Sequence, residues 1–216
     1  MKTVKTIAIA MAALLTASLT SCVNDDDDNN QNADYHYLQL TETQQKDLMK
    51  KLEGNYENYL YFTNANTQKT DSAQVKWEVN ASDSTVTCVN FPVNILQNYV
   101  KSDLVKEALD IVGQQPVVFK YSTGSTVVKE FYDASSYFFN LTIPNASNIV
   151  KFTYGGGEGE QENYVSIEFA DQFIGYSTVY SQMVRLDRGS FFGAVLVSIV
   201  DANSVATKVN CIIPFQ

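Results

Sequence analysis

Histidine is almost missing from this chain of 216 residues, which has only His36, together with three cysteines, four prolines and one tryptophan. A catalytic triad or a histidine-based zinc site needs an imidazole held beside a second reactive group. His36 lies in a polar N-terminal stretch, where we expect nothing rigid to hold it. The sequence therefore argues against both kinds of site, and we predict no metal, no cofactor and no enzymatic activity.

Basic residues are also scarce, since the chain has 15 lysines and arginines but 24 aspartates and glutamates, which gives a formal net charge of −9. Such a surface repels nucleic acid, and we exclude that partner. After residue 21 there is no apolar run of transmembrane length, because the stretch 194–200 has the size of a single strand. The protein is therefore expected to be anchored to a membrane rather than to span it.

The N-terminus has the pattern of an export signal. Lys2 and Lys5 precede an apolar run, Ile7 to Leu19, that is too short to span a bilayer but suits the core of a signal peptide. Small residues then lead to Ser21 and Cys22, and the run resembles a bacterial lipobox. The resemblance implies cleavage between Ser21 and Cys22 and acyl chains such as palmitate on Cys22, which would anchor the protein in outer-membrane lipid.

An acidic cluster follows the lipobox and consists of Asp25, Asp26, Asp27 and Asp28. A cluster at this place resembles the surface-export signal of Bacteroidetes lipoproteins. The resemblance implies that the anchored protein faces the cell exterior. Removal of residues 1–21 takes two lysines from the chain and makes the net charge −11, so we expect membrane contact to come from the acyl chains.

Composition and periodicity divide the chain into a signal peptide, 1–21, a lipidated flexible acidic tether, 22–40, and a single β-rich domain, 41–216. The domain opens with a short amphipathic helix between Thr41 and Gly54. A helical pair is predicted from the spacing of apolar residues, among them Leu104, between residues 92 and 113. Pro92 opens its first helix, Ser102 helps to cap the second and Gly113 ends it.

Alternation of apolar and polar residues predicts antiparallel strands in most of the rest of the domain. These cover residues 56–63, 75–79, 85–89, 117–121, 126–132, 137–143, 149–154, 164–170, 175–186, 192–201 and 206–213. The fold class is therefore mainly β (α+β), either an antiparallel lipocalin-like barrel or a sandwich, with a short N-terminal helix and an inserted helical pair.

Two cysteines remain once Cys22 carries lipid. Cys88 and Cys211 can form a disulfide in an oxidising compartment, or each can be a small buried apolar residue, and their alternating surroundings favour burial. Two short motifs, Asp71-Ser72-Ala73 and Asp83-Ser84-Thr85, fall in predicted turns and resemble O-glycosylation sites of exported Bacteroidetes proteins. Ser72 and Ser84 are therefore candidate modification sites, which the intact mass of Ser→Ala variants tests.

The order of elements also resembles a lipoprotein family. Leu52-Glu53-Gly54-Asn55-Tyr56 and the step from Phe91-Pro92-Val93 into paired helices, together with the leader, resemble the lipocalin-like lipoproteins of gut Bacteroidetes that have no assigned function. That family offers no catalytic residues to transfer. The resemblance therefore implies a barrel and a surface location, and by analogy of fold alone it implies ligand binding.

Three functions fit these observations. The first is a non-enzymatic binding or accessory domain for a glycan, a small apolar ligand or an envelope protein, which the 13 tyrosines and 12 phenylalanines favour. The second is a carboxylate-dependent hydrolase such as a glycosidase, which needs two facing acids. The third is a structural envelope protein. The candidate acids near element ends are Asp110, Asp133, Glu168, Asp171, Asp187 and Asp201.

Overall fold

The fold was analysed in a computed structural model of the chain. The structure describes residues 35–64, 66–144, 149–154, 163–170, 172–174, 179–201 and 208–216. No helix among these residues is long and apolar enough to cross a bilayer.

Strands dominate the described residues. They are β1 (Tyr37–Gln39), β2 (Gly54–Thr63), β3 (Thr70–Asn80), β4 (Thr85–Pro92), β5 (Gln114–Ser122), β6 (Thr126–Val128), β7 (Ser136–Thr142), β8 (Ile149–Tyr154), β9 (Asn163–Phe169), β10 (Gln172–Ile174), β11 (Val179–Ser181), β12 (Met183–Asp187), β13 (Ser190–Asp201) and β14 (Lys208–Phe215). The helices are α1 (Glu42–Lys51), a 3₁₀ helix (Val93–Tyr99), α2 (Asp103–Val112) and α3 (Lys129–Asp133).

Eight antiparallel strands close into a barrel, in the order β12-β7-β5-β4-β3-β2-β14-β13, and the ring is completed by pairing of β12 with β13. The first part of β13 pairs with β12, while its last five residues, Val197 to Asp201, pair with β9. The β8–β9 hairpin therefore lies outside the ring in the order of strands, but it packs against the core, because the ring of Phe169 lies 5.0 Å from Phe91 and 6.3 Å from Phe119. The predicted mainly β class is confirmed, and of the two predicted architectures the structure is the barrel.

Side chains that alternate inward along the strands fill the barrel. Trp77 lies at the centre of an aromatic cluster, with its ring stacked on Phe215 at 4.4 Å and the edge contact to Phe191 at 5.7 Å between centroids. Phe191 in turn stacks on Tyr56 at 4.6 Å. An eight-stranded barrel is just wide enough to be filled in this way. The rings thus form part of a packed core. Burial of each one stabilises the fold by about 1.5–3 kcal/mol.

Gly193 permits the strands to meet where the ring closes. A Cβ atom at this position would lie 2.6 Å from the carbonyl oxygen of Met183 on β12 and 3.0 Å from the ring of Phe215 on β14. Both separations are shorter than ordinary van der Waals contact. A side chain at position 193 would therefore push β13 away from one of its two partners.

Helix α1 covers one end of the barrel. Thr41 and Gln44 form a capping box at its start, and Leu48 and Leu52 are fully buried against the core. At its C-terminal end, the hydroxyl of Tyr121 donates a hydrogen bond of 3.0 Å to the carbonyl oxygen of Met49. In the same region the hydroxyl of Tyr56 donates to the carbonyl oxygen of Leu52 at 2.8 Å. The Met49 carbonyl oxygen also accepts a hydrogen bond from the Leu52 amide at 3.1 Å, so strand side chains supplement the bonds at this helix end.

The 3₁₀ helix and α2 cover the opposite end of the barrel. Pro92 precedes the first helix, the hydroxyl of Ser102 accepts a hydrogen bond from the Val105 amide at 3.4 Å, and Gly113, with φ of +70°, ends α2. The predicted helical pair is therefore confirmed, with a 3₁₀ helix as its first member. Leu104 is 57% exposed, so its assignment to the apolar face is wrong. The buried face of α2 instead consists of Val105, Ala108 and Leu109.

Two predicted boundaries need correction, one before residue 41 and one at residue 128. Residues 37–39, which we assigned to the tether, pair with β6, and Leu40 is buried in the core. Folded structure therefore begins before residue 41. The strand predicted over 126–132 ends at Val128 and gives way to α3, in which Lys129 pairs with Asp133 four residues later. That spacing stabilises a helical turn.

We predict that Tyr121→Phe lowers the free energy of unfolding by about 1 kcal/mol, because it removes the hydrogen bond to Met49 and leaves the ring in place. Burial, with smaller contributions from Glu53 and Tyr56, raises the pKa of Tyr121 to about 12, so the hydroxyl keeps its proton at neutral pH. Denaturant titration measures the change. Tyr59→Phe is the control, since Tyr59 is 47% exposed. Equal effects of the two substitutions would contradict the capping role.

Candidate functional site

The residues predicted for export and lipidation, Ser21, Cys22 and Asp25 to Asp28, lie outside the described residues. Of the two candidate glycosylation sites, Ser84 lies in the turn 81–84, as predicted. Ser72 lies within β3 instead, so its placement in a turn is wrong. Both serines are accessible to some extent, and their modification stays a prediction.

Cys88 and Cys211 are both buried and both free. The disulfide alternative is therefore wrong, and the alternative of two small buried residues describes them. Cys88 lies on β4 and Cys211 on β14, with β3 and β2 between these strands in the ring. Adjacent strands lie about 4.8 Å apart, so three steps along the sheet separate β4 from β14. A disulfide needs Cα atoms within about 7 Å of each other, which is less than this separation. Burial raises the pKa of each thiol to about 12.

His36 is positioned by the fold, contrary to our expectation for a tether residue. Its Nδ1 atom lies 2.7 Å from a carboxylate oxygen of Glu130 on α3, and the same carboxylate accepts a hydrogen bond from the His36 backbone amide at 3.2 Å. The hydrogen bond from the imidazole is the main reason why the pKa of Glu130 is lowered. The pair is exposed to solvent and fastens the start of the described chain to α3.

A cleft of about 230 Å³ opens at the barrel end that carries the helical pair. Its walls come from the end of β2, the β2–β3 connection, the start of β3, the 3₁₀ helix and α2. The lining side chains are Phe62, Asn64, Asn66, Asp71, Asn94, Ile95, Gln97, Asn98 and Lys106. Most of them are polar, and five carry an amide group. The cleft lies between the inserted helices, which pack across the barrel mouth, and the β2–β3 connection.

Some of these amides hold the local structure together. The side-chain oxygen of Asn64 accepts hydrogen bonds from the backbone amides of Asn66 and Thr67, at 3.0 and 3.2 Å, and so shapes the β2–β3 connection. The side chain of Asn98 donates to the carbonyl oxygen of Ile95 at 2.9 Å. These contacts fix the two walls of the cleft relative to their own backbones.

Other amides of the cleft are uncommitted. Within the part of the chain that the structure describes, the side chains of Asn66, Asn94 and Gln97 make no hydrogen bond. Asn66 lies on one wall, while Asn94 and Gln97 lie on the other, on the 3₁₀ helix. Each amide offers both donors and an acceptor. The cleft therefore presents unpaired hydrogen-bonding groups from two sides.

The charges of the cleft are few and balanced. Asp71 supplies a carboxylate, and Lys106 supplies an ammonium group that is bonded to Asp103 at 2.9 Å. Acid–base hydrolysis of glycosides needs two carboxyl groups across the substrate, whereas the described lining has one. No three described His, Cys, Asp or Glu residues are grouped in a way that could hold a metal ion. The arrangement is therefore suited to hydrogen bonding.

Aromatic residues outside the core form a row on the barrel wall. The ring centroids of Tyr35 and Phe131 lie 5.7 Å apart, and those of Phe131 and Phe138 lie 5.5 Å apart. The Arg185 guanidinium lies 5.1 Å from the Phe138 ring and bonds Asp187 at 2.9 Å. The row fastens the N-terminal residues and α3 to the barrel.

The cleft was not predicted from the sequence. Its signal is the recurrence of amide residues in two short stretches, 64–66 and 94–98, that flank apolar residues of the core. Amide residues are common in turns, so each stretch alone predicts only a connection. Their meeting across the barrel mouth depends on how the helical pair folds back over the strands.

A comparison with protein families matches residues 51–186, more than half of the chain, to the family described as Domain of unknown function (DUF4840). The chain belongs to this family. Comparison with curated proteins and with solved structures finds no match. All the cleft residues lie within the DUF4840 match, from Phe62 to Lys106. The match ends before β13 and β14, although the ring needs both strands to close.

We predict that both thiols of this DUF4840 protein stay unmodified by iodoacetamide at pH 8 in the folded state, because burial keeps them protonated and shielded. The form to use is residues 22–216 with Cys22→Ser, called the soluble form below. Mass spectrometry should find two alkylated cysteines after unfolding in guanidinium without reductant. Failure to alkylate unfolded, unreduced protein would mean that the two cysteines are bonded.

Proposed function

We propose that this DUF4840 protein is a surface-anchored, non-enzymatic binding domain that holds its ligand in the cleft at the mouth of the barrel. The observation that carries the proposal is the set of unpaired amides that face the cleft from two walls. Asn94 and Gln97 are half-buried and Asn66 is exposed, so their amides are open to an external partner, and a bound ligand can replace the water that satisfies them.

The packing of the interior supports the cleft as the binding place. Lipocalin-like barrels that take small apolar ligands need internal space. Here Trp77, Phe119, Phe139 and Phe215 are fully buried and occupy the centre of the barrel. Helix α1 and the helical pair cover its two ends. A small apolar ligand would have to displace this core, so a ligand at the polar mouth is the better proposal.

The proposed anchor is attached at the end of the barrel opposite the cleft. The proposed lipid on Cys22 connects to the described chain at Tyr35, which contacts α3 through Phe131. This region lies at the α1 end of the barrel, since α3 leads into β7, whose Tyr137 accepts a hydrogen bond from Lys51 of α1 at 2.9 Å. The cleft lies at the other end, beyond the far end of β2.

The distance between the two ends follows from β2. This strand starts next to α1 at Gly54 and ends beside the cleft at Thr63, ten residues in all. At about 3.4 Å per residue and a tilt of about 40°, it separates the two ends by about 20 Å or more. The tether would therefore join the barrel at the end remote from the cleft, so that the point of attachment does not block the access of an external ligand to the cleft.

The alternative of carboxylate-dependent hydrolysis is less well supported. Asp133 pairs with Lys129 on α3, and Asp187 pairs with Arg185 on β12. Asp110 lies on α2 and Glu168 on β9, so the four described candidate acids are on four separate elements. Asp171 and the side chain of Asp201 lie outside the described residues. A purely structural role predicts that the amides of the cleft bond only water.

We predict that Cys22→Ser in the full chain, expressed in its native host, removes the acyl mass from the mature protein and moves it from the detergent phase to the aqueous phase in Triton X-114 extraction. Cys211→Ala is the control, because it also removes one thiol and should keep the lipid. Replacing Asp25 to Asp28 by asparagine should keep the lipid and reduce protease accessibility on intact cells. Lipid retained by Cys22→Ser would refute the anchor.

We predict that fatty acids and bile acids leave the fluorescence of Trp77, the single tryptophan, unchanged in the soluble form, because the interior is already filled. A ligand that raises the melting temperature by binding the folded state should also leave this emission unchanged. Unfolding in guanidinium provides the positive control for the signal. A saturable change in Trp77 emission with an apolar ligand would show that the ligand binds in the interior.

A further inference from the structure

The chemistry of the cleft allows its ligand class to be named. We infer that the cleft binds one neutral sugar unit of a glycan, and this inference rests on the function proposed above. It follows from three properties of the lining, which are the kind of hydrogen-bonding groups, the balance of charge and the presence of an apolar wall.

The hydrogen-bonding groups match hydroxyl groups. A sugar hydroxyl is both a donor and an acceptor, and so is a side-chain amide, whereas a carboxylate only accepts and an ammonium group only donates. Asn94 and Gln97 on the 3₁₀ helix and Asn66 on the β2–β3 connection are the three uncommitted amides. A ring that carries hydroxyl groups around its edge can bond both walls at once, which a ligand with a single polar group cannot do.

The balance of charge favours a neutral ligand. The carboxylate of Asp71 accepts a hydrogen bond from the Ser72 amide at 2.8 Å and lies 3.4 Å from the side-chain nitrogen of Asn64. The ammonium group of Lys106 bonds Asp103. Each charge thus already has a partner in the protein, in contacts that are exposed to solvent. A phosphate or a uronic acid would find no uncommitted cation among the described lining residues and would approach a chain of net charge −9.

The apolar wall suits the carbon face of a sugar ring. Phe62 is half-buried and lines the cleft beside the amides, whereas Ile95, which also lines it, is 5% exposed and belongs to the core. A pyranose has polar edges and an apolar face, so it can cover apolar wall while its edge bonds the amides. This combination distinguishes a sugar from a purely polar ligand such as an inorganic ion.

The size of the cleft limits the contact to about one ring. Its volume of about 230 Å³ is below the roughly 300–1,000 Å³ of clefts that enclose drug-sized ligands. The cleft is also open on one side, so neighbouring units of a longer glycan can remain in solvent. Binding of a single unit should be weak, and attachment of many copies to one membrane would raise the effective affinity for a polymer.

The test is nuclear magnetic resonance titration of the ¹⁵N-labelled soluble form. The probes are glucose, galactose, mannose, N-acetylglucosamine and short oligosaccharides of each, with glucuronate and a neutral Asn/Ser-containing hexapeptide as the comparison ligands. The side-chain amide signals of Asn66, Asn94 and Gln97 report contact directly. We expect at least one neutral sugar to shift these signals saturably, together with backbone signals of residues 94–98.

Variants locate the binding. The double variant Asn94→Ala and Gln97→Ala should weaken binding of that sugar about 10- to 30-fold, as expected for the loss of two hydrogen bonds. Asn66→Ala on the opposite wall should weaken it separately. Asn140→Ala, an exposed amide on β7, is the matched control and should leave the affinity unchanged. Unchanged spectra outside the cleft verify that each variant is folded.

The outcomes separate the inference from the proposed function. If glucuronate or the peptide changes the chemical shifts of the cleft signals and no neutral sugar does, the sugar class is wrong and the proposed binding function is retained. Sugar shifts that persist in the double variant and in Asn66→Ala would place the sugar elsewhere and overturn the site. If no probe moves the cleft signals, both the sugar inference and the proposed cleft function fail.

Discussion

Closure of the ring between β12 and β13 is the constraint on which the rest of this structure depends. Without that pairing, the eight strands would form an open sheet with two unsatisfied edges. Closure needs β13 to lie against β12 and β14 at once, and Gly193 makes this approach feasible because it has no side chain to meet Met183 or Phe215. The closed ring then brings Phe191 and Phe215 against Trp77 and so creates the aromatic core.

Filling of the core has a consequence for function. The buried rings described here occupy part of the interior that a ligand of a hollow barrel would need, and helices cover the two ends. Function is then expected where the fold is least regular, at connections held by a rigid scaffold. The helical pair between β4 and β5 creates such a place, because it covers the barrel mouth and leaves polar side chains of its first helix facing those of the β2–β3 connection.

Much of the fold was predictable from local patterns. Alternation predicted the strands, and Pro92, Ser102 and Gly113 predicted the ends of the helical pair, since capping and breaking of helices act over a few residues. The errors arose where tertiary contacts override local preference. Leu104 has the apolar character of a core residue and remains exposed, and the polar stretch before residue 41 becomes a strand because β6 offers it a partner.

The sequence by itself determined the mainly β class, the helical pair and the candidate anchor at Cys22, because periodicity, capping residues and a processing motif are all read over short distances. Only the tertiary structure decided three further points: that the strands close into a barrel, that Cys88 and Cys211 stay apart as free thiols, and that Asn66 faces Asn94 and Gln97 across a cleft. Each depends on strand order and on contacts between residues distant in the chain, and local patterns carry no information about those distances.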